Sequence, residues 1–212
     1  MGKIKQGILG GFSGKVANVV GSSWKGIAVM KALPLSVANP RTTAQVAQRE
    51  LFANVTVFAA SILSRIIKPL WDRFASQMSG YNSFVQSNIE LFTSEYPDPP
   101  ADLIISRGKM SAMEILDTTV TESDATVTID WEYDSLSGYQ GATDLVYCLV
   151  LNRTQGTIGT SSGLVVRSVK SVDVTMPQDG QASDVFDMYL TFIRSDGTVV
   201  SDSSYKTATI PA

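Results

Sequence analysis

The 212-residue chain has no histidine. That removes the one side chain whose ordinary pKa lies near neutrality, and with it Ser-His and Cys-His nucleophilic schemes and most zinc sites. Cysteine occurs once, so no intrachain disulfide can form. Cys148 sits in LVYCLVL, flanks that mark a small buried hydrophobe rather than a reactive thiol. Charged residues make up only 17% of the chain, which suits a globular protein whose surface is covered in an assembly. No apolar run approaches the ~20 residues that span a bilayer. Residues 1–12 carry lysines at 3 and 5 but only Ile8-Leu9 as an apolar pair, too little for a signal-peptide core. The expectation is a protein made in the cytoplasm, with no membrane partner.

Acid is missing from the first quarter of the chain. Before Glu50 there are seven Lys or Arg (3, 5, 15, 25, 31, 41 and 49) and no Asp or Glu, whereas the remainder holds ten bases and twenty acids. Such asymmetry points to an anionic partner for the first segment. The basic stretch lies either on the acidic remainder of its own chain or a neighbour's, or on nucleic acid.

Within that segment residues 7–33 hold six of the sixteen glycines. Val16, Asn18 and Val20 alternate with their neighbours, Gly21-Ser22-Ser23 interrupts, and Ile27, Val29 and Lys31 resume a period of two. This predicts two short strands around a turn. An isolated hairpin is marginal in water, so the later domains or another subunit must cover it. Gly14-Lys15 is not a phosphate loop, because Leu9 stands where that pattern needs glycine and Val16 where it needs Ser or Thr.

FSGKVANVVGSSWKGIAVMKALP followed by NPRTTAQVAQRELF resembles the opening of a family of proteins without assigned activity from Bacteroidota and their phages. Similar openings occur in phage virion proteins. The matching positions are Gly14, Lys15, Val16, Trp24, Lys25 and Gly26, then Asn39, Pro40, Arg41, Thr42, Gln45, Arg49 and Phe52. The likeness covers about the first 55 residues, and the rest only by architecture. It implies a phage structural component and brings no catalytic residue and no cofactor.

Residues 39–94 read as helical. Thr42 with Gln45 fits a capping box. Ala47, Leu51, Val55, Phe58, Ile62 and Ile66 then recur at helical spacing, one face of a helix of roughly six turns. Phe52, Leu63 and Ile67 widen the stripe, so contact on two sides is expected. Pro69 ends or kinks this helix. Trp71, Phe74 and Met78 suit a short second helix, and Tyr81, Phe84, Val85 and Ile89 a third after the break at Ser79-Gly80. Arg41 and Arg49, with Asn39, Thr42 and Gln45, are expected to anchor the junction between the first segment and the helix.

The prolines at 97, 99 and 100 predict a stiff spacer over 95–102. After it the period changes to two, with strands expected at 113–116, 125–131, 144–151, 163–168, 172–176, 185–194 and 204–210. Asp179-Gly180 and Asp196-Gly197 are turn signals, the second between FIRS and TVVS a hairpin signal. Seven short strands at this spacing argue for an immunoglobulin-like sandwich. ATVTIDWEY, ending in Trp131, resembles the second strand of a fibronectin type III domain, and Tyr189 in FDMYLTF suits its sixth.

Glu114, Asp117, Glu122, Asp124, Asp130, Glu132, Asp134 and Asp144 form an acidic region without a calcium-loop pattern, and alternation predicts a solvated face. The sequons at Asn54 and Asn152 carry no weight without a secretory signal.

The fold expected is therefore α+β: a Gly-rich β arm (1–38), a helical segment (39–94), a Pro-rich linker (95–102) and a sandwich (103–212). The function expected is that of a non-enzymatic phage virion protein (capsid accessory, neck or tail) that pairs through its arm with itself and other virion proteins. Nucleic-acid contact through the basic arm is the second expectation. The third is a carbohydrate- or surface-binding adhesin, for which Tyr133 and Tyr139 are the only aromatic pair in the sandwich loops.

Overall fold

Alternation in the first segment produces a sheet, and the computed structural model shows that it has four strands rather than two. The structure describes residues 2–3, 13–24, 27–36, 39–133, 138–161 and 164–211, which fall into two compact units, Met1–Gln45 and Val46–Ala212.

In the first unit the strands are β1 (Gly2–Lys3), β2 (Gly14–Val16), β3 (Val19–Trp24) and β4 (Ile27–Ala32), antiparallel in the order β1-β4-β3-β2. Gly21-Ser22-Ser23, expected as the break, lies inside β3. The described turn is at Ala17-Asn18, with Ala17 at φ 50°. Gly21 continues the strand because it is registered between Gly14 and Met30, where a missing Cβ weakens the strand but leaves room for a neighbour's side chain.

The division between the units falls within the first turn of α1 (Thr43–Ser61), which is opened by the expected capping box. The Thr42 amide donates to Gln45 Oε1 and the Gln45 amide to Thr42 Oγ1, each at 3.4 Å. Burial starts only at Val55. Ala47 is exposed, Leu51 is half-buried, and Phe52 and Val57 stand 55% and 73% exposed. Of the residues expected to widen the covered stripe, Ile67 is buried and Leu63 packs against the core, while Phe52 stays exposed. The helical path bends by 68° after Ser61, at a wide turn over Leu63–Ile67 with five-residue hydrogen bonding, rather than at Pro69. Pro69 lies at the start of α2 (Lys68–Trp71), where a missing amide is tolerated. α2 is shorter than expected, and Phe74 and Met78 remain exposed. α3 (Gly80–Asn88) is capped by Ser79, whose hydroxyl accepts from the Asn82 amide. Among the described residues no single helix is long and apolar enough to cross a membrane.

Seven strands follow: β5 (Ile115–Val120), β6 (Thr126–Trp131), β7 (Leu145–Asn152), β8 (Thr157–Thr160), β9 (Ser171–Thr175), β10 (Val185–Ile193) and β11 (Ser204–Thr209). One antiparallel sheet has the order β5-β6-β9 and the other β11-β10-β7-β8. In immunoglobulin lettering these are A-B-E and G-F-C-C′. The chain is α+β with a C-terminal immunoglobulin-like sandwich. Trp131 ends the second strand of that sandwich and Tyr189 lies in the sixth. Gly197, at φ 69°, makes the turn after β10, with the Arg194 amide bonded to the Val199 carbonyl.

Two expected strands are corrected. The first lies at 115–120 rather than 113–116. The fourth is 157–160. Of the expected 163–168, Gly163 lies outside the described residues, and the rest leads into a 3-10 turn at Arg167–Val169. Arg167 breaks the strand because its side chain turns inward to Asp144.

The sandwich core holds Ile115, Val127, Ile129, Trp131, Val146, Cys148, Val172, Met188 and Phe192. A second core joins Val55, Phe58, Ile62, Ile66, Trp71, Phe84 and Phe92 to Leu149, Leu151, Tyr189 and Ile193. The helices thus cover the outer face of the β11-β10-β7-β8 sheet, giving three layers. The expected spacer is part of this packing. Pro97 is buried, the Asp98 amide donates to the Leu91 carbonyl, and Tyr189 Oη donates to the Pro100 carbonyl at 2.6 Å.

Candidate assembly surface

Register decides which face of the first sheet each side chain occupies, since directly paired residues share a face. Lys15 pairs with Val20, and Val20 with Lys31; Ser22 pairs with Val29. The two lysines therefore stand in one row across three strands, about 10 Å apart at two strand spacings. Both are exposed. Val29 lies on the same face, and Lys3 is registered opposite it. The other face carries Val16, Val19, Met30 and Ala32, with glycines at 14 and 21. One face is basic and the other neutral. No acid occurs in this unit.

Only Val29 among its described apolar residues is buried. Val16 is 62% exposed, and Ile27, Met30, Leu33 and Leu35 are exposed as well. The edges are short, and β2 presents only Gly14, Lys15 and Val16. Such edges and faces accept a partner strand or sheet with little rearrangement.

Of the residues singled out by sequence, Gly14, Lys15 and Val16 form β2, and Trp24 ends β3 opposite Ile27. Lys25 and Gly26 lie outside the described residues. Asn39, Arg41, Thr42, Gln45 and Arg49 are all exposed. Thr42 and Gln45 close the capping box, and Asn39 and Arg49 each hold an interaction.

The second unit contains buried polar clusters that sequence reading missed, two of them built around an Arg–Asp pair. Arg167 donates to Asp144 Oδ2 at 3.0 Å, touches the sulfurs of Met110 and Met113, and stacks 3.9 Å from the Phe192 ring centre. Burial lowers the guanidinium's pKa, and Asp144 opposes that shift. Asp144, expected on a solvated face, is instead 1% exposed. The second cluster centres on Asp187, which takes Arg153 bidentately and accepts from Tyr205 Oη at 2.7 Å. The hydrogen bond to Asp187 raises the pKa of Arg153. Burial raises that of Tyr189. The weak signals were Asp144 and Arg167, charges at the borders of apolar runs.

Open grooves among the described residues of this unit include the following two. One of about 320 Å³ is lined by Ala53, Asn54, Val57, Phe58, Tyr96 and Ile158. The other, about 680 Å³, lies beside Arg65, Thr160, Leu164 and Asp173. Neither is lined by the two buried clusters. Among the described residues no three of His, Cys, Asp or Glu gather as a metal site. Tyr139 is half exposed, while residues 134–137 between it and Tyr133 lie outside the described residues.

No curated protein matches this sequence. The model of DUF6266, a family of unknown function, matches residues 11–207, and the chain belongs to that family.

Proposed function

We propose that the chain is a non-enzymatic structural protein that assembles through its N-terminal sheet, in the setting of a bacteriophage particle as a capsid accessory, neck or tail component. The observation that carries the assembly reading is a four-stranded sheet in its own compact unit, in which Val29 is the one buried apolar side chain among the described residues. A sheet this small gains stability when a partner buries its exposed Val16, Met30 and Leu33. The phage setting follows from the resemblance of residues 14–52 to virion proteins.

Sedimentation velocity of the full chain and of residues 39–212, at low and high salt, tests the reading. Assembly of the full chain alone supports it. If both are monomeric at high concentration, and the protein is absent from purified particles, the reading fails.

The lysine row favours one alternative, contact with nucleic acid. Two or three phosphate contacts give a log-log salt slope of about −2 to −3 for duplex DNA. Absent or salt-insensitive binding excludes it.

A further inference from the structure

The surface that receives the N-terminal sheet is identified by its charge. We infer that the basic face of β2-β3-β4 docks on the outer face of the β5-β6-β9 sheet of a second copy of this chain. The inference rests on the arm-assembly reading and names a partner for the basic face; the exposed Val16 and Met30 lie on the opposite face.

The residues of β5-β6-β9 that point inward are Ile115, Val127, Ile129, Trp131, Val172 and Val174, all buried. Alternation and register then set the outward rows. Asp117 pairs with Asp130, and Asp130 with Ser171; Thr119 pairs with Thr128, and Thr128 with Asp173; Thr126 pairs with Thr175. The outward rows are thus built from aspartate, threonine and serine, with Leu116 exposed at the β5 bulge; the three strands contain no Lys or Arg, and Lys206 of β11 donates to the Leu116 carbonyl.

Asp117 directly opposite Asp130 is a cross-strand pair of like charges, which destabilises a sheet. Thr128 Oγ1 already donates to Asp173 at 2.8 Å, and Asp117 takes the Thr118 amide. These bonds orient two of the carboxylates but neutralise neither. A cation brought to this face relieves the repulsion.

Among the described residues, the surface of opposite sign that register builds is the lysine face of the first sheet. Its lysines are two strand spacings apart, about 10 Å, and Asp117 and Asp173 are two strand spacings apart and two residues offset along the strands, about 12 Å. Both surfaces are sheets, and sheets pack face to face. The helices cover the other sheet of the sandwich, so the β5-β6-β9 face is the one left for a sheet to pack on. Because the two surfaces differ, the contact is heterologous, and repetition gives a ring or a filament.

The test is a charge swap in the full chain. Lys15→Glu with Lys31→Glu, and separately Asp117→Lys with Asp130→Lys and Asp173→Lys, are each expected to raise the concentration needed for association roughly a hundredfold, because like charges then face each other. A mixture of the two variants is expected to associate again, each arm meeting a face of opposite sign. Circular dichroism checks folding. Should the Lys substitutions prevent folding, Asp117→Asn with Asp130→Asn and Asp173→Asn removes the charge conservatively and is expected to weaken association in the same direction.

If the lysine variant loses association while the folded aspartate variants associate normally, this partner surface is wrong and the assembly reading survives. If neither variant changes an association that is present, the charge pairing is wrong. A full chain that never associates overturns both. Recovery only when all five substitutions sit in one chain, and not in the mixture, places the contact within a single copy and overturns the second-copy assignment.

Discussion

The two units of this chain treat their apolar side chains in opposite ways. Residues 46–212 bury theirs in two adjoining cores, one between the sheets and one beneath the helices, and so reach a closed three-layer structure. In residues 1–45 only Val29 is buried among the described apolar residues. A domain is stable when burial outweighs the entropy of ordering the chain. The second unit meets that condition internally. The described residues of the first form a sheet with one buried apolar side chain, and the proposed assembly would supply the burial it lacks. The same contrast holds for charge: acids are confined to the second unit and the first carries only bases.

The comparison breaks most sharply at Arg167. Arg167→Ala removes the ion-pair partner of the buried Asp144, whose Oδ2 also accepts from the Gly141 amide. Removing one partner of a buried pair costs about 3–5 kcal/mol. Urea denaturation is expected to show a loss of that size, and an unchanged midpoint contradicts the pairing. The doubly apolar replacement, Arg167→Met with Asp144→Leu, is expected to recover much of it.

A slightly smaller effect tests whether helices and sandwich are one body. Phe84 is fully buried beside Phe58 and Trp71, so Phe84→Ala removes about 3 kcal/mol or more. The far-ultraviolet helix signal and Trp131 fluorescence are expected to shift together in one transition. Separate transitions show two bodies.

The sandwich was legible because its strands alternate. ATVTIDW buries Val127, Ile129 and Trp131 and leaves the residues between half-buried, as a strand with one wetter face must. The capping box at Thr42 and Gln45 was equally local and equally readable. The third layer was not read, although LVYCLVL carried the signal. A strand without alternation is covered on both faces, and β7 gives Cys148 to one core and Leu149 and Leu151 to the other. The prolines at 97, 99 and 100 suggested a spacer because composition reports stiffness, not docking. The candidate surface was half legible. A basic, acid-free segment is visible in the sequence. That Lys15 and Lys31 share a row is a matter of register, and Gly21-Ser22-Ser23 hid it by reading as a turn.

A third, smaller effect comes from Cys148. Burial pushes its thiol from the usual range near 9 up to about 12. The folded state therefore holds the proton more tightly than the unfolded state. The resulting stability is intact below pH 9 and is lost as pH rises toward 12. At pH 10 the loss is on the order of 1 kcal/mol. Cys148→Ala removes this pH dependence, so the gap between the two proteins is expected to change between pH 8 and pH 10. A constant gap argues against a sealed thiol.

The smallest effect is expected where the second unit stands alone. Shortening the chain to residues 39–212 keeps the capping box and all of α1 while removing the sheet. Every buried apolar residue of the described chain except Val29 is retained, so the midpoint of thermal unfolding under monomeric conditions is expected to move by no more than about 0.5 kcal/mol equivalent, as for a surface change. A larger drop means that the sheet of the same copy stabilises the second unit, and the contact assigned to a neighbour belongs within one chain. An unchanged midpoint with lost association separates folding from assembly: the cores in 46–212 make the fold, and the sheet in 1–45 serves to join one copy to another.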